Sequence, residues 1–414
     1  MAGVESDAPR VAVVLSGAAA RGAFQAGALA EVIPALERQG ALPTIWLGTS
    51  AGSINCALWG AAAHLGPTAA TEQLLRIWQA MSDDDVFRPL LPFSLPRTIL
   101  QFAAGAVLER GPGTTSLLNT SPLQRTAGQV LDTDRLAGNV ADGLLAAVGV
   151  TATRMPADTD QLVAGAASGR SVLFLHEHAP SGYAGDPGRA LDVVGGPITA
   201  EHVLASSAIP VGFPPIRITG PEQAAGWHLD GGVRLNTPLQ PAVRLGATRI
   251  VVVSATATSY SPAPPPTSPG RTPDAADAAA QVLHAVLADR TVEDLAALRR
   301  INRLLAQAQR AGHPGLLTRA DGTPYVPVEV IDIAPPPGAM ARLAAEIHAE
   351  RTDRLGWLTE NDNWLLGRIL RGAGDSVGRR ELLSYLFFDQ HYFTASIELG
   401  RATAAAAVAA GWRF

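Results

Sequence analysis

The sequence predicts an α/β fold: a three-layer α/β/α core around a mostly parallel sheet, with a helical C-terminal extension. Three observations predict it. Short apolar, β-branched runs alternate along the chain with longer segments of helical periodicity. Those runs are apolar on both faces, as strands covered by helices on each side must be. Beyond a proline-rich break the pattern turns almost wholly helical.

Val11–Leu15 is the first such run and stops at Ser16-Gly17, the pattern of a buried strand. Residues 21–39 then carry Phe24, Leu29, Val32, Ile33 and Leu36 at helical spacing. A second buried strand is expected at 44–47 and a helix over about 51–63. Further strands are expected at 145–152, 172–176, 191–194, 249–254 and 326–333. The clearest break is the Pro/Ser-rich loop 257–273, whose Ser261-Pro262-Ala263-Pro264-Pro265-Pro266 stretch lacks ladder donors and favours extended polyproline geometry. It divides a catalytic core of 9–256 from a mainly helical extension of 274–414, from which strand 326–333 returns to the core sheet.

Composition narrows the function. At 414 residues, 47% hydrophobic and 17% charged, the chain is too apolar for disorder. A net charge of −5 offers no basic field for nucleic acid or an anionic membrane. Every one of the 32 cationic side chains is Arg, which excludes P-loop, Schiff-base, kinase and Ser–Lys chemistry, all of which need a lysine. Cys56 is the only cysteine, so neither an internal disulfide nor a cysteine-rich zinc site can form, consistent with a reducing, cytoplasmic location. Residues 1–10 lack the apolar run of a secretory signal. Residues 41–71 carry no Asp, Glu or Arg, but their polar, glycine-broken centre would strand backbone groups in lipid, so the chain reads as soluble.

That centre, Gly48-Thr49-Ser50-Ala51-Gly52, matches G-x-S-x-G. Chance supplies such a match on the order of 0.2 times in a chain of this composition. Its setting between an apolar strand and a helix is that of a sharp turn lifting the Ser50 hydroxyl above a sheet, with Gly48 and Gly52 permitting the turn. The plainer alternative is a glycine-rich strand–helix turn with a capping serine. An ordinary α/β-hydrolase fits poorly. Ser50 follows only the second expected strand, and none of His176, His178, His313 and His348 stands in a motif for a catalytic base. Asp230, followed by Gly231 and Gly232, ends a short apolar stretch; on the string alone it is either a partner carboxylate or an Asp-Gly turn.

Together with Ser16-Gly17-Ala18-Ala19-Ala20-Arg21-Gly22, Ala205-Ser206-Ser207-Ala208-Ile209-Pro210, Phe213-Pro214-Pro215, Asn236 and Pro238, these segments resemble the patatin-like phospholipase family in order and spacing from about residue 9 to 255. Ile301-Asn302-Arg303-Leu304 and Tyr392-Phe393 resemble bacterial members. The resemblance implies a lipid acyl hydrolase, of the phospholipase A or lysophospholipase type. Ser50 would be its nucleophile, Asp230 the dyad partner and the loop Gly17, Ala18, Ala19, Ala20, Arg21, Gly22 the oxyanion hole. It implies a lipid or fatty-acyl ester as substrate and no metal or cofactor. An acyltransferase using the same serine and a catalytically silent lipid-binding protein are the rival readings.

The chemistry sets two further expectations. Full proton transfer from a serine hydroxyl to an ordinary carboxylate would cost about 12 kcal/mol, so burial should raise the Asp230 pKa and transfer should accompany attack. The family's loop is glycine-rich where this chain has Ala18 and Ala19; each costs about 1–2 kcal/mol if its φ is positive and only narrows the pocket otherwise. Arg21 steadies the loop, meets a phosphate head group, or is an exposed helix-start residue. Asp83–Asp85 read as a solvated run. Part of the apolar stretch 86–108 caps an acyl site or makes a peripheral contact with a bilayer interface, or the stretch packs in the core.

Overall fold

The structure is a computed structural model. It describes residues 9–81, 88–89, 118–119, 128–157, 169–210, 212–258, 272–313, 315, 317–319, 322–355 and 376–414. The acidic run 83–85, most of the apolar stretch 86–108 and most of the proline-rich loop lie outside the described residues.

The elements alternate from the start. Strand β1 (Val11–Leu15) leads through a short 3-10 turn into α1 (Gly22–Arg38), and β2 (Ile45–Thr49) leads directly into α2 (Ala51–Ala62). Helix α3 (Pro67–Ala80) opens with proline at a position where its missing N–H costs nothing. Next come the short antiparallel pair β3 (Arg88–Pro89) and β4 (Leu118–Asn119), α4 (Thr133–Ala141), β5 (Ala147–Arg154) and β6 (Arg170–Glu177). They are followed by β7 (Gly185–Asp186), β8 (Leu191–Gly195), α5 (Ala200–Ser206), β9 (Ile216–Ile218) and β10 (Gly226–Asp230). Then α6 (Leu239–Arg244) precedes β11 (Arg249–Val253), after which α7 (Ala275–His284) passes through one π-helical turn into α8 (Arg290–Arg310). Strand β12 (Glu329–Ile333) and helices α9 (Ala339–Leu355), α10 (Val377–Leu386) and α11 (Gln390–Ala410) complete the chain.

The main sheet runs β12-β11-β1-β2-β5-β6-β8-β7, with β10 added to β5 and β9 to β10. Its five strands from β12 to β5 are all parallel; among the described strands of this sheet, antiparallel pairing enters at β5–β6, β5–β10, β9–β10 and β7–β8. The alternation of side chains along a strand divides the core into two layers. Val11, Val13 and Leu15 of β1 pack with α1, α2, α3 and α11, whereas Ala12 and Val14 pack with α6 and α8 on the other face. On β2, Trp46 stacks on Trp59 of α2 with ring centroids 4.0 Å apart, while Ile45 and Leu47 face the second layer. The molecule is therefore a three-layer α/β/α fold with C-terminal helices closing one face.

Candidate active site

Parallel pairing of β1 with β2, in which Leu15 lies opposite Gly48, brings the loop after β1 beside the turn after β2. Ser50 occupies that turn at φ 54° and ψ −127°, a conformation costing about 1–3 kcal/mol for a residue with a Cβ. The turn is held on both sides. Its N–H donates to Ser206 Oγ of α5 at 2.8 Å, and its carbonyl accepts from the Ser53 N–H at 2.8 Å and the Ser53 hydroxyl at 2.6 Å. A Cβ at Gly48 would collide with the Gly52 carbonyl, and one at Gly52 would sit 2.6 Å from the Leu15 and Ser16 carbonyl oxygens. The two glycines are thus demanded by close packing of β2, α2 and β1 rather than by an unusual φ.

Asp230 ends β10, whose antiparallel pairing with β5 sets it opposite Ala152. Its main chain is pinned by an N–H bond to Ala208 O at 2.9 Å and by the Thr153 hydroxyl donating to its carbonyl at 2.9 Å. Its Oδ1 accepts from the Gly232 N–H at 2.7 Å, and the Ser50 hydroxyl lies near enough to the carboxyl to draw its pKa down. Ser50 and Asp230 are 4% and 6% exposed. Burial raises the Asp230 pKa to about 6, against the opposing pull of the Ser50 hydroxyl and the Gly232 amide. Gly231 lies against the Thr151 main chain with no room for a Cβ.

Within the loop from Gly17 to Gly22, three of the six N–H groups are occupied. Gly17 donates to Asn236 O at 3.1 Å and Asn236 Oδ1 at 3.0 Å, Arg21 to Ala18 O at 3.0 Å, and Gly22 to Ala19 O. Those of Ala18, Ala19 and Ala20 meet no acceptor among the described residues. Of the two alanines, Ala19 adopts a positive φ of 47°, whereas Ala18 lies at φ −145°. The cost of a Cβ in the left-handed region, about 1–2 kcal/mol, falls on Ala19 alone. Arg21 is neither at the surface nor in the cleft. It is 2% exposed, donates to the Glu381 carboxylate at 2.7 Å and to Ala255 O at 3.2 Å, bonds Ser384 Oγ, and lies over the Tyr385 ring at 3.8 Å.

Several supporting residues carry no signal in the motifs themselves. Gln25 Nε2 donates to Ser16 O at 2.8 Å, Asn55 Nδ2 to Gln25 Oε1 at 3.0 Å, and Trp78 Nε1 to Asn55 Oδ1 at 2.7 Å, a buried chain joining α1, α2 and α3 behind the turn. Gln25 follows Phe24 on the buried side of α1, where an amide is out of place unless it is fully bonded. Ser206 and Asn236 lie inside the motif segments, yet their bonds to Ser50 and Gly17 depend on tertiary placement. Among the described residues no histidine bonds Ser50 or Asp230. His202 and His228 instead pack on Phe174, and burial lowers both to about 4, leaving them neutral at physiological pH.

An apolar cleft of about 70 Å3, partly open to solvent, runs from Ser50 and Ala19 between α2, α3 and α5. Among the described residues there is no group of three or more His, Cys, Asp or Glu side chains able to hold a metal, and no helix long and apolar enough to cross a membrane.

The family model of the patatin-like phospholipases matches residues 13–243, more than half of the sequence. The chain belongs to the patatin-like phospholipase family. Comparison with curated proteins gives no match. The crystal structure of VipD from Legionella pneumophila is similar with 12% identity and a TM-score of 0.30, covering 98% of this chain and 67% of that one. Family membership supports lipid acyl hydrolysis as the general activity and a lipid as substrate.

Proposed function

We propose that the protein hydrolyses carboxylic esters of lipids through an acyl-enzyme on Ser50, with Asp230 as its base. The observation that carries this reading is that a serine on a strained turn stands beside a buried carboxyl raised to about 6, at the edge of an apolar cleft. As Ser50 Oγ attacks the ester carbonyl, its proton passes to the Asp230 carboxylate. Raising that carboxyl by about two units from the ordinary value removes about 3 kcal/mol from the mismatch with a hydroxyl. The remainder is met by donors that strengthen as charge develops on the carbonyl oxygen. The unengaged N–H groups of Ala18, Ala19 and Ala20, at the entry to α1, suit that part, each worth about 3 kcal/mol where it is well aligned. Collapse of the intermediate expels the alcohol, which takes the proton from Asp230. Water then attacks the acyl-serine by the same steps in reverse order, freeing the carboxylic acid.

The test is the turnover of p-nitrophenyl esters by the full chain. Ser50→Ala and Asp230→Asn are each expected to lose at least about a thousandfold in kcat with folding intact, the range seen when one member of such a unit is removed. Wild-type activity that survives in Ser50→Ala overturns the assignment. Acyl transfer to added alcohol in excess of hydrolysis would make the protein a transferase on the same serine, and lipid binding without turnover would make it a silent binder.

A further inference from the structure

We infer that the cleft beside Ser50 is a blind channel for a single medium-chain acyl tail, with Leu58 of α2 setting its length; this rests on the serine-hydrolase reading above. Along α2 the cleft is lined by Ser50, Ala51, Ile54 and Leu58. Ile54 and Leu58 stand four and eight residues beyond Ser50, on one helical face. The next positions on that face, Ala61 and Ala62, are buried and lie outside the cleft. Helix α3 repeats the pattern from the opposite wall. Ile77, Trp78 and Met81 line the cleft, whereas Leu74, one turn deeper, is buried and does not. Both helices therefore close the channel at the level of Leu58.

The lining defines what enters. Ser50 and Ser207 are the polar residues among the described lining, and the Ser207 hydroxyl is already bonded to Val203 O at 3.0 Å. Beyond the Ser50 hydroxyl and the Ala19 N–H at its mouth, the described lining offers no donor or charge to a head group, so the occupant of the rest is hydrocarbon. The wall is also fixed in place, since Trp78 is anchored to Asn55 and meets Phe393 edge-on at 5.2 Å. Eight residues of helix span about 12 Å. An extended chain advances about 1.2 Å per bond, so tails of about eight to ten carbons reach from the reacting carbonyl to Leu58. Each methylene up to that length should raise kcat/KM by about threefold to fourfold, and longer tails must fold back towards solvent.

The experiment measures kcat/KM of the full chain for p-nitrophenyl esters from butyrate to palmitate. A maximum at octanoate or decanoate is expected. Leu58→Ala should move it to laurate or beyond, and Leu58→Trp back towards butyrate. A flat profile, or a maximum that neither variant moves, overturns the channel. Calorimetric titration of Ser50→Ala with the corresponding fatty acids reads the channel without turnover and should peak at the same length. If wild type cleaves no ester at all, the hydrolase reading fails while these affinities still decide the channel. If it cleaves esters without length preference, the channel alone fails.

Discussion

Asp230 carries a cost that the rest of the molecule must offset. Its carboxyl sits at about 6 in the folded protein against an ordinary 3.8, because burial penalises the charged form. Between those values the folded chain holds more protons than the unfolded one, so stability falls as pH rises through that window and stays low above it. Two units amount to about 3 kcal/mol. Asp230→Asn keeps an acceptor for the Gly232 N–H and cannot ionise. It is expected to be more stable than wild type by up to about 3 kcal/mol near pH 8 and no more stable below about pH 4, as urea unfolding at the two pH values would show. An advantage that is equal at both would mean the carboxyl is not raised. In the proposed mechanism the same titration governs the rate: Asp230 must be ionised to act as base, so kcat/KM for an ester should climb to a plateau through about pH 6. Ser50 adds strain of its own at φ 54°, so both members of the proposed dyad are held at the expense of stability.

At the scale of elements, two-sided burial explains what could be read from the sequence. Strands β1, β2 and β11 pass through the middle of the sheet, so their apolar runs are uninterrupted and stand out by eye. Strand β10 does not. Its Trp227 is half exposed, and only pairing with β5 distinguishes the Asp230 strand end from an Asp-Gly turn. The break between α10 and α11 is equally silent, since Asp389 caps α11 within a stretch that keeps helical periodicity. The loop after β1 is legible as a motif, whereas which alanine is strained shows only in the folded backbone, and the destination of Arg21 depends on residues more than two hundred positions away. Those contacts make a prediction. Glu381→Gln leaves the buried Arg21 guanidinium without its counter-charge and should destabilise the protein by about 3 kcal/mol. The double variant Arg21→Met/Glu381→Leu should recover most of that loss in urea denaturation but impair ester hydrolysis, because Arg21→Met breaks the loop's ties to Ala255 and Ser384. Hydrolysis restored along with stability would show that the tie has no bearing on the site.

The whole molecule is built so that its last helix fixes the position of its first. Helix α1 packs against α11, which itself also rests on β12, and the two helices approach at facing glycines: a Cβ on Gly27 would meet the Ile397 carbonyl, and one on Gly400 the Phe24 carbonyl and, at 2.9 Å, the Ala28 nitrogen. Tyr392 and Phe393 at the start of α11 are fully buried, with the Tyr392 hydroxyl bonded to Ser384 O at 3.0 Å and Phe393 packed on Trp78. Asn302 of α8 clamps the approach to β12 by exchanging two hydrogen bonds with Val328. The segment after the proline-rich loop therefore shares one core with the segment before it, and the loop at the start of α1 inherits its position from that packing. Gly400→Ala tests this. Backbone atoms rather than flexible side chains receive the added methyl, so the helices must separate, at about 2–3 kcal/mol. Gly195→Ala meets open space and should change stability by less than about 0.5 kcal/mol. The urea midpoint of Gly400→Ala should fall with an unchanged slope, and kcat should fall with it, since Gly400 abuts Phe24, within about one turn of the loop beside Ser50. A Gly400→Ala protein as stable and active as Gly195→Ala would mean that the two helices are not in register at these glycines and that the C-terminal helices do not position the site.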